Sequence, residues 1–358
     1  MEIARRATRE IRLGRVVIGG GAPVSVQTMT KTATSDVDAT VAQIREVESL
    51  GCDIVRVAVP DEAAASALAS ICGQVDIPLV ADIHFDHKLA IMALEAGVDG
   101  LRINPGNIGG KDKVQELVAA ARARRAPIRV GVNSGSVEAD IRAAHGGATP
   151  AALVESAMRH IRMIEDAGYD QLKISVKASD VGRTVAAYRL LSGQTDYPLH
   201  LGVTEAGTLV AGTIRSSVAM GILLSEGIGD TIRVSLTDTP AREVKVGLEL
   251  LRSLGLREPG PNVISCPTCG RVGVDVLSVT SRVEDELEAY YLANPDAPRP
   301  VVAVMGCMVN GPGEAKEADI ALAGGDGKFA LYLRGKHHST VDESSAVDAL
   351  MVLVRGFS

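Results

Sequence analysis

The chain has no tryptophan, three phenylalanines and six tyrosines among its 358 residues. A core built on aromatic rings is therefore excluded, and Ala, Val, Ile and Leu must supply the buried surface. That suits α/β packing, in which small aliphatic strands lie beneath alanine-rich helices. No apolar run approaches bilayer-spanning length. The start, "MEIARRATREIRLGRVVIGG", lacks the apolar stretch of a signal peptide, so neither anchor nor leader is expected. An excess of positive charge is missing too: 37 Lys and Arg stand against 44 Asp and Glu, a net charge of −7. Nothing global then recommends nucleic acid or an anionic membrane as partner. Five cysteines, an odd number, fit a reducing cytoplasm better than a disulfide framework. No Gly-x-Gly-x-x-Gly follows the first strand, which leaves an open doubly wound sheet without its usual signature.

What is present is a repeat of eight short aliphatic runs: 24–29, 53–59, 78–84, 100–105, 128–133, 171–177, 199–204 and 231–236. Helical periodicity follows most of them, as in "DATVAQIREVESLG" and "HKLAIMALEAG", each closing on a glycine. Strand then helix, eight times, predicts a (β/α)8 TIM barrel over residues 1–255. "VVIGGGAPV" fits a small hairpin closing the barrel floor. "REPGPNVIS" reads as a linker, 256–264. Residues 265–358 form a smaller α/β domain: a cysteine-bearing turn, a helix, strands in "PRPVVAVMGCMVNG" and "KFALYLRGK", and a closing helix in "ESSAVDALMVLVRGF".

Parallel strands buried on both faces should be almost unbroken aliphatic runs. Here polar residues interrupt them with a period of two, so they share a face. Asp82 and His84 pair in this way, as do Arg102 and Asn104, Arg129 and Asn133, His200 and Thr204. Lys173, Ser175 and Lys177 line up, Arg233, Ser235 and Thr237 do likewise, and Arg56 lies within the second run. A charge facing the helix layer would be buried unpaired, at high cost. The lumen near the C-terminal mouth is the plausible place for this set. Arg56, Arg102, Arg129, Lys173, Lys177 and Arg233 face only Asp82 and Glu205, so a salt-bridged layer cannot balance them. A cationic cavity in an acidic protein calls for an anionic ligand, and several bases together favour a diphosphate. "GNIGGK" (106–111) is one residue short of a P-loop and is not an ATP site.

Cys266 and Cys269 stand in Cys-x-x-Cys spacing in "SCPTCGR", and Cys307 opens "CMVNGPGE". Three thiols make an incomplete metal site. A structural zinc completed by His337 or His338 is one reading, with those histidines in a polar turn; unrelated buried thiols are another. A third takes Glu314, seven residues past Cys307, as an oxygen ligand to one iron of a [4Fe–4S] cluster. A carboxylate is harder and more easily displaced than a thiolate, which makes sense if that iron must open to substrate. Cys52 and Cys72 belong to no motif and read as barrel core.

These two thiol motifs, after "VQTMT", "ADIHFD", "LRINPGN", "GVNSGS", "SVKAS" and "GVTEAG", resemble the 4-hydroxy-3-methylbut-2-enyl diphosphate synthase family in its two-domain bacterial form, from residue 24 to about 335. The resemblance implies reductive ring opening and dehydration of 2-C-methyl-D-erythritol 2,4-cyclodiphosphate in isoprenoid biosynthesis. It also implies electrons from flavodoxin or ferredoxin and a [4Fe–4S] cluster on Cys266, Cys269, Cys307 and Glu314. By the same resemblance Arg102, Arg129, Lys177, Arg233 and Ser235 would clasp the diphosphate. Arg56, Asn104 and Asn133 would line the same pocket, Asp82 would add a polar contact, and Glu205 would be the acid/base group. The competing function is a zinc-stabilised, non-redox anion-binding barrel of the pterin-synthase kind; a third is an iron–sulfur carrier, which needs no anion pocket.

Topology adds an expectation. The helix "PAREVKVGLELLRSLG" carries the chain from the catalytic mouth back to the floor, and nine linker residues extend at most roughly 30 Å. The cluster domain should then cap the barrel of a second subunit, in a head-to-tail C2 homodimer.

Overall fold

The computed structural model describes residues 3–258, 260–307, 313 and 317–357, which divide into two compact units, Met1–Arg257 and Glu258–Ser358. Glu314 lies outside the described residues. In the first unit β1 (Ile11–Leu13) and β2 (Val16–Ile18) form an antiparallel hairpin. The parallel strands follow: β3 (Ser25–Met29), β4 (Ile54–Ala58), β5 (Leu79–Asp82), β6 (Gly100–Ile103), β7 (Ile128–Asn133), β8 (Leu172–Lys177), β9 (His200–Leu201) and β10 (Thr231–Ile232). Their order is β8-β7-β6-β5-β4-β3-β10-β9. A parallel bridge from Ile174 to Leu199 joins β8 to the start of β9 and closes the ring. This is the TIM barrel expected from the eight aliphatic runs, and each run supplies one strand.

The last two strands are shorter than their runs. Regular pairing stops at Leu201 and Ile232, although the Arg233 N–H still donates to the Leu201 carbonyl at 3.0 Å. Side chains cap the helix starts: Asp36, Asp61, Asp86, Thr149, Asp180 and Thr239 each accept a first-turn N–H. The helix His87–Ala96 ends on Gly97 in a left-handed conformation (φ 103°), the position where glycine avoids a Cβ clash.

The floor hairpin lies upstream of its expected place. Residues 11–18 form it, and the glycines 19–21 only lead into β3. Ile11, Leu13 and Ile18 pack on Ile54 and Val80, at the N-terminal ends of β4 and β5. Gly100 is needed there, because a Cβ would sit 2.4 Å from Leu13 Cδ1. The lower end of the barrel is thus plugged by aliphatic side chains, and the upper end is left for polar ones.

The second unit is a five-stranded mixed sheet, β11 (Asn262–Ser265), β12 (Val301–Met305), β13 (Ile320–Gly325), β14 (Lys328–Leu333) and β15 (Lys336–Asp342), in that spatial order. The helices Val276–Ala293 and Ala346–Arg355 share one hydrophobic core with it. Three strands differ from expectation. β11 occupies residues assigned to the linker, and β13 and β15 were not foreseen. "IALAGG" is buried along nearly its whole length and shows no alternation, whereas β15 is a sheet edge with an exposed, polar sequence. His337 and His338 therefore lie on an edge strand, not in a turn.

Candidate active site

Strand register gathers the luminal set. Asp82, Arg102, Arg129 and Lys173 are successive partners across β5, β6, β7 and β8, and Asn133 pairs with Lys177 two storeys higher, past the Gly131–Ser175 pair. At the mouth, Arg56, Asp82, His84, Arg102, Arg129, Asn133, Ser175, Lys177, Thr204, Arg233 and Ser235 line a cavity of about 160 Å³. Five of these side chains are cationic and one, Asp82, is an acid. Arg102 Nη1 lies 3.0 Å from Asp82 Oδ1, and Arg56 Nε lies 3.6 Å from Oδ2. Asp82 therefore pairs with both guanidiniums, but it balances only a fraction of the charge.

The electrostatics follow from burial. Desolvation, then the neighbouring Arg129 and Arg233, push the Lys177 ammonium well below its ordinary range. Burial followed by Arg56 and Arg102 does the same to Arg129, and burial lowers Arg56 to about 9 against the opposing pull of Asp82. Burial alone would raise Asp82, yet Arg56, His84 and Arg102 hold its carboxyl far below the usual range. Arg56, Arg129 and Lys177 are thus short of negative charge, which an anion would supply.

Two glycines make room for these side chains. A Cβ on Gly131 would stand 2.9 Å from Arg102 Nε, and one on Gly202 would stand 2.7 Å from Lys177 Nζ and 2.6 Å from the Arg233 carbonyl oxygen. Because the last contact is to backbone, Gly202→Ala is expected to destabilise the barrel by about 1–3 kcal/mol. A thermal melt checks this, and an unchanged Tm would contradict the close approach.

Two expected residues sit apart from the cavity lining. Asn104 is buried, but its Oδ1 turns back to accept the Gly106 N–H at 3.2 Å. Glu205 follows Thr204 in an exposed turn past β9, with φ 53°, an uncommon conformation for a residue with a Cβ. Sequence reasoning missed Glu243. It lies buried in the first turn of helix Pro240–Ser253, accepts from Thr28 Oγ1 (2.8 Å) and the Leu236 N–H (3.0 Å), and stands 3.7 Å from Arg233 Nη2. An acid at the start of a helix is too common in sequence to have marked it.

In the second unit β11 and β12 run parallel, with Ser265 beside Val304, so Cys266 and Gly306–Cys307 emerge from adjacent strand ends. Three hydrogen bonds join the segments: Cys266 N–H to the Val304 carbonyl (3.2 Å), Gly306 N–H to Cys266 Sγ (3.4 Å) and Gly273 N–H to the Gly306 carbonyl (3.1 Å). Arg271 bonds Cys269 and also feels Cys307; its backbone N–H and its side chain lower the Cys269 thiol. Soft thiols at neighbouring strand ends, with an N–H aimed at sulfur and a cation alongside, suit thiolate ligation of a metal cluster. Among the described residues, no three of His, Cys, Asp and Glu are close enough to hold a metal ion. His337 and His338 are on β15, three strands from β12, or about 14 Å at ordinary strand spacing. The zinc set completed by histidine is thereby disfavoured.

A closed parallel barrel with a cationic mouth, followed by a small α/β unit bearing thiols at strand ends, defines an anion-binding TIM-barrel protein with an appended thiol domain. Residues 8–248 match the family model described as GcpE TIM-barrel domain, and residues 262–356 match GcpE protein C-terminal domain. The 4-hydroxy-3-methylbut-2-en-1-yl diphosphate synthase (flavodoxin) of Geobacter sulfurreducens is 56% identical over 347 residues, 97% of each chain. That of Acidithiobacillus ferrooxidans is 53% identical over 354 residues, 99% of this chain and 95% of the relative. The chain belongs to the 4-hydroxy-3-methylbut-2-en-1-yl diphosphate synthase family, and is an oxidoreductase. A solved dihydropteroate synthase from Xanthomonas albilineans covers 69% of this chain and 99% of its own, at 15% identity and a TM-score of 0.49, too loose a likeness to bear on function.

Proposed function

We propose that the chain catalyses reductive ring opening and dehydration of 2-C-methyl-D-erythritol 2,4-cyclodiphosphate to (E)-4-hydroxy-3-methylbut-2-enyl diphosphate. Two electrons and two protons enter, a ring C–O bond to the diphosphate breaks, and a hydroxyl leaves as water. Family membership supports the reaction, and the observation that carries the site is the mouth cavity, with five cations against one carboxylate. Arg102, Arg129, Lys177, Arg233 and Ser235 grip the diphosphate, and Arg56 and Asn133 belong to the same pocket, whereas Asn104 shapes the turn after β6. Asp82 holds the Arg102 and Arg56 guanidiniums at their angles. Binding energy from this remote group orients the reacting end. Glu205, in its turn beside Thr204, is the acid that converts departing hydroxide to water.

Cys266, Cys269 and Cys307 would hold a [4Fe–4S] cluster with Glu314 as the fourth ligand. When bound, that group supplies electrons singly, received from flavodoxin or ferredoxin. Glu314 would be the displaceable ligand, being an oxygen among sulfurs. Anaerobic reconstitution with iron and sulfide should give a brown protein that turns over the cyclic diphosphate with a reduced flavodoxin. A colourless zinc protein without turnover would overturn the reading.

The chain would act as one of a pair. Arg257 closes the barrel unit with a fork onto Asp53 (2.7 and 3.0 Å), ahead of β4 and so at the floor, opposite the mouth. From there a chain of nine residues to Cys266 extends roughly 30 Å at most. A head-to-tail homodimer, each thiol domain capping the partner's barrel, resolves this. Mixing Arg102→Met chains with Cys307→Ser chains should then restore about a quarter of wild-type activity, since half the dimers are mixed and each has one intact composite site. Zero recovery would place closure within one chain.

A further inference from the structure

Beneath the mouth cavity lies a second polar layer to which diphosphate binding assigns no role. Lys173 is 4% exposed, and its Nζ has no hydrogen-bond partner among the described residues. Arg129, its neighbour across β7 and β8, lies between two spaces. It lines the mouth cavity above and, with Lys173 and Gln27, a void of about 10 Å³ walled by Ile11, Leu13 and Ile18 below. The groups around Lys173 are Arg129 from β7, Arg56 from β4, Gln27 from β3, His200 from β9, Ser175 and Lys177 on its own strand, and Asp230 just before β10. Both amide atoms of Gln27 and both ring nitrogens of His200 also lack partners among the described residues. Asp230, the one acid of the set, is already engaged by Arg5 Nη2 (3.0 Å), Thr8 Oγ1 (3.1 Å) and the Leu199 N–H (2.8 Å).

A buried ammonium with no acceptor and an arginine beside it is unfavourable. The balance reverses when a multiply charged anion sits on the other side of that arginine. We propose that Lys173 is a charge-compensating positioning residue, which takes a proton from solvent when a diphosphate binds above Arg129 and returns it when the anion leaves. The inference rests on the diphosphate reading of the mouth cavity and goes beyond it by naming a residue that does not touch the ligand. Burial and then Arg129 bring the Lys173 ammonium down to about 7, with Asp230 acting in the opposite sense. The anion raises it again, so uptake is small below about pH 7, where the ammonium is already formed, and grows above it.

Titration calorimetry with inorganic diphosphate at about pH 8, in two buffers of different ionisation enthalpy, counts the protons. The wild type should take up about one proton per diphosphate more than Lys173→Met, because ionisation of the probe cancels between the two. Its Kd should also rise with pH more steeply, by up to about tenfold per unit. Lys173→Arg, permanently charged, is the second variant and should likewise lose the uptake. Equal proton counts in wild type and either folded variant would overturn the proposal while leaving the anion site standing. Failure of the wild type to bind diphosphate at all would overturn both.

Discussion

Arg102→Met should weaken inorganic diphosphate binding by about 100-fold, or some 2.8 kcal/mol, with little change in fold. Arg102 is buried in the row Asp82–Arg102–Arg129–Lys173, and Gly131 leaves its guanidinium room to lie across β7. Methionine removes the fork and leaves Asp82 with Arg56 as its remaining arginine partner at contact distance, 3.6 Å away. The carboxylate then presents more uncompensated negative charge to the incoming anion. Arg102→Lys keeps the charge but not the planar fork, and should fall between wild type and methionine. Calorimetric Kd values with parallel melts decide this. A Kd within about threefold of wild type would show that the mouth cations do not act together.

Cys307→Ser should leave the unreconstituted chain as stable as wild type, yet abolish retention of iron and sulfide and reduce turnover to background. The thiol follows Gly306, whose N–H points at Cys266 Sγ, and shares Arg271 with Cys269. Serine reproduces its shape without its affinity for iron. Cys72→Ser is the control: burial pushes that thiol up to about 11, and it belongs to the barrel. Its replacement should change neither iron content nor turnover. Glu314→Cys should separate holding from opening, with iron retained and turnover lost. Full turnover in that variant would mean that a displaceable oxygen ligand is not required.

The luminal set was readable because strand periodicity is local. Once Arg102, Arg129 and Lys177 fall on alternate positions of buried parallel strands, the cost of unpaired charge against the helix layer leaves them one direction to point. The function of individual side chains was less readable. Asn104 has the right period but spends its oxygen on Gly106, a choice made by the turn after β6. Glu243 is more than two hundred residues from Thr28, and the two meet because helix Pro240–Ser253 returns alongside β3. In the second unit, β13 escaped notice because a strand buried on both faces carries no alternation, and β15 because an edge strand is free to be polar.

By itself the sequence determined the barrel, the charge of its lumen and the spacing of the thiols, since repetition, periodicity and Cys-x-x-Cys spacing are properties of neighbouring residues. Tertiary structure decided which cations share one acid, which glycines let them lie flat, and that two separate thiol segments emerge side by side from parallel strands. It also placed Lys173 beside Arg129 with no acceptor among the described residues. These outcomes depend on register and ring closure between segments distant in the chain, where geometry rather than local pattern sets what touches what.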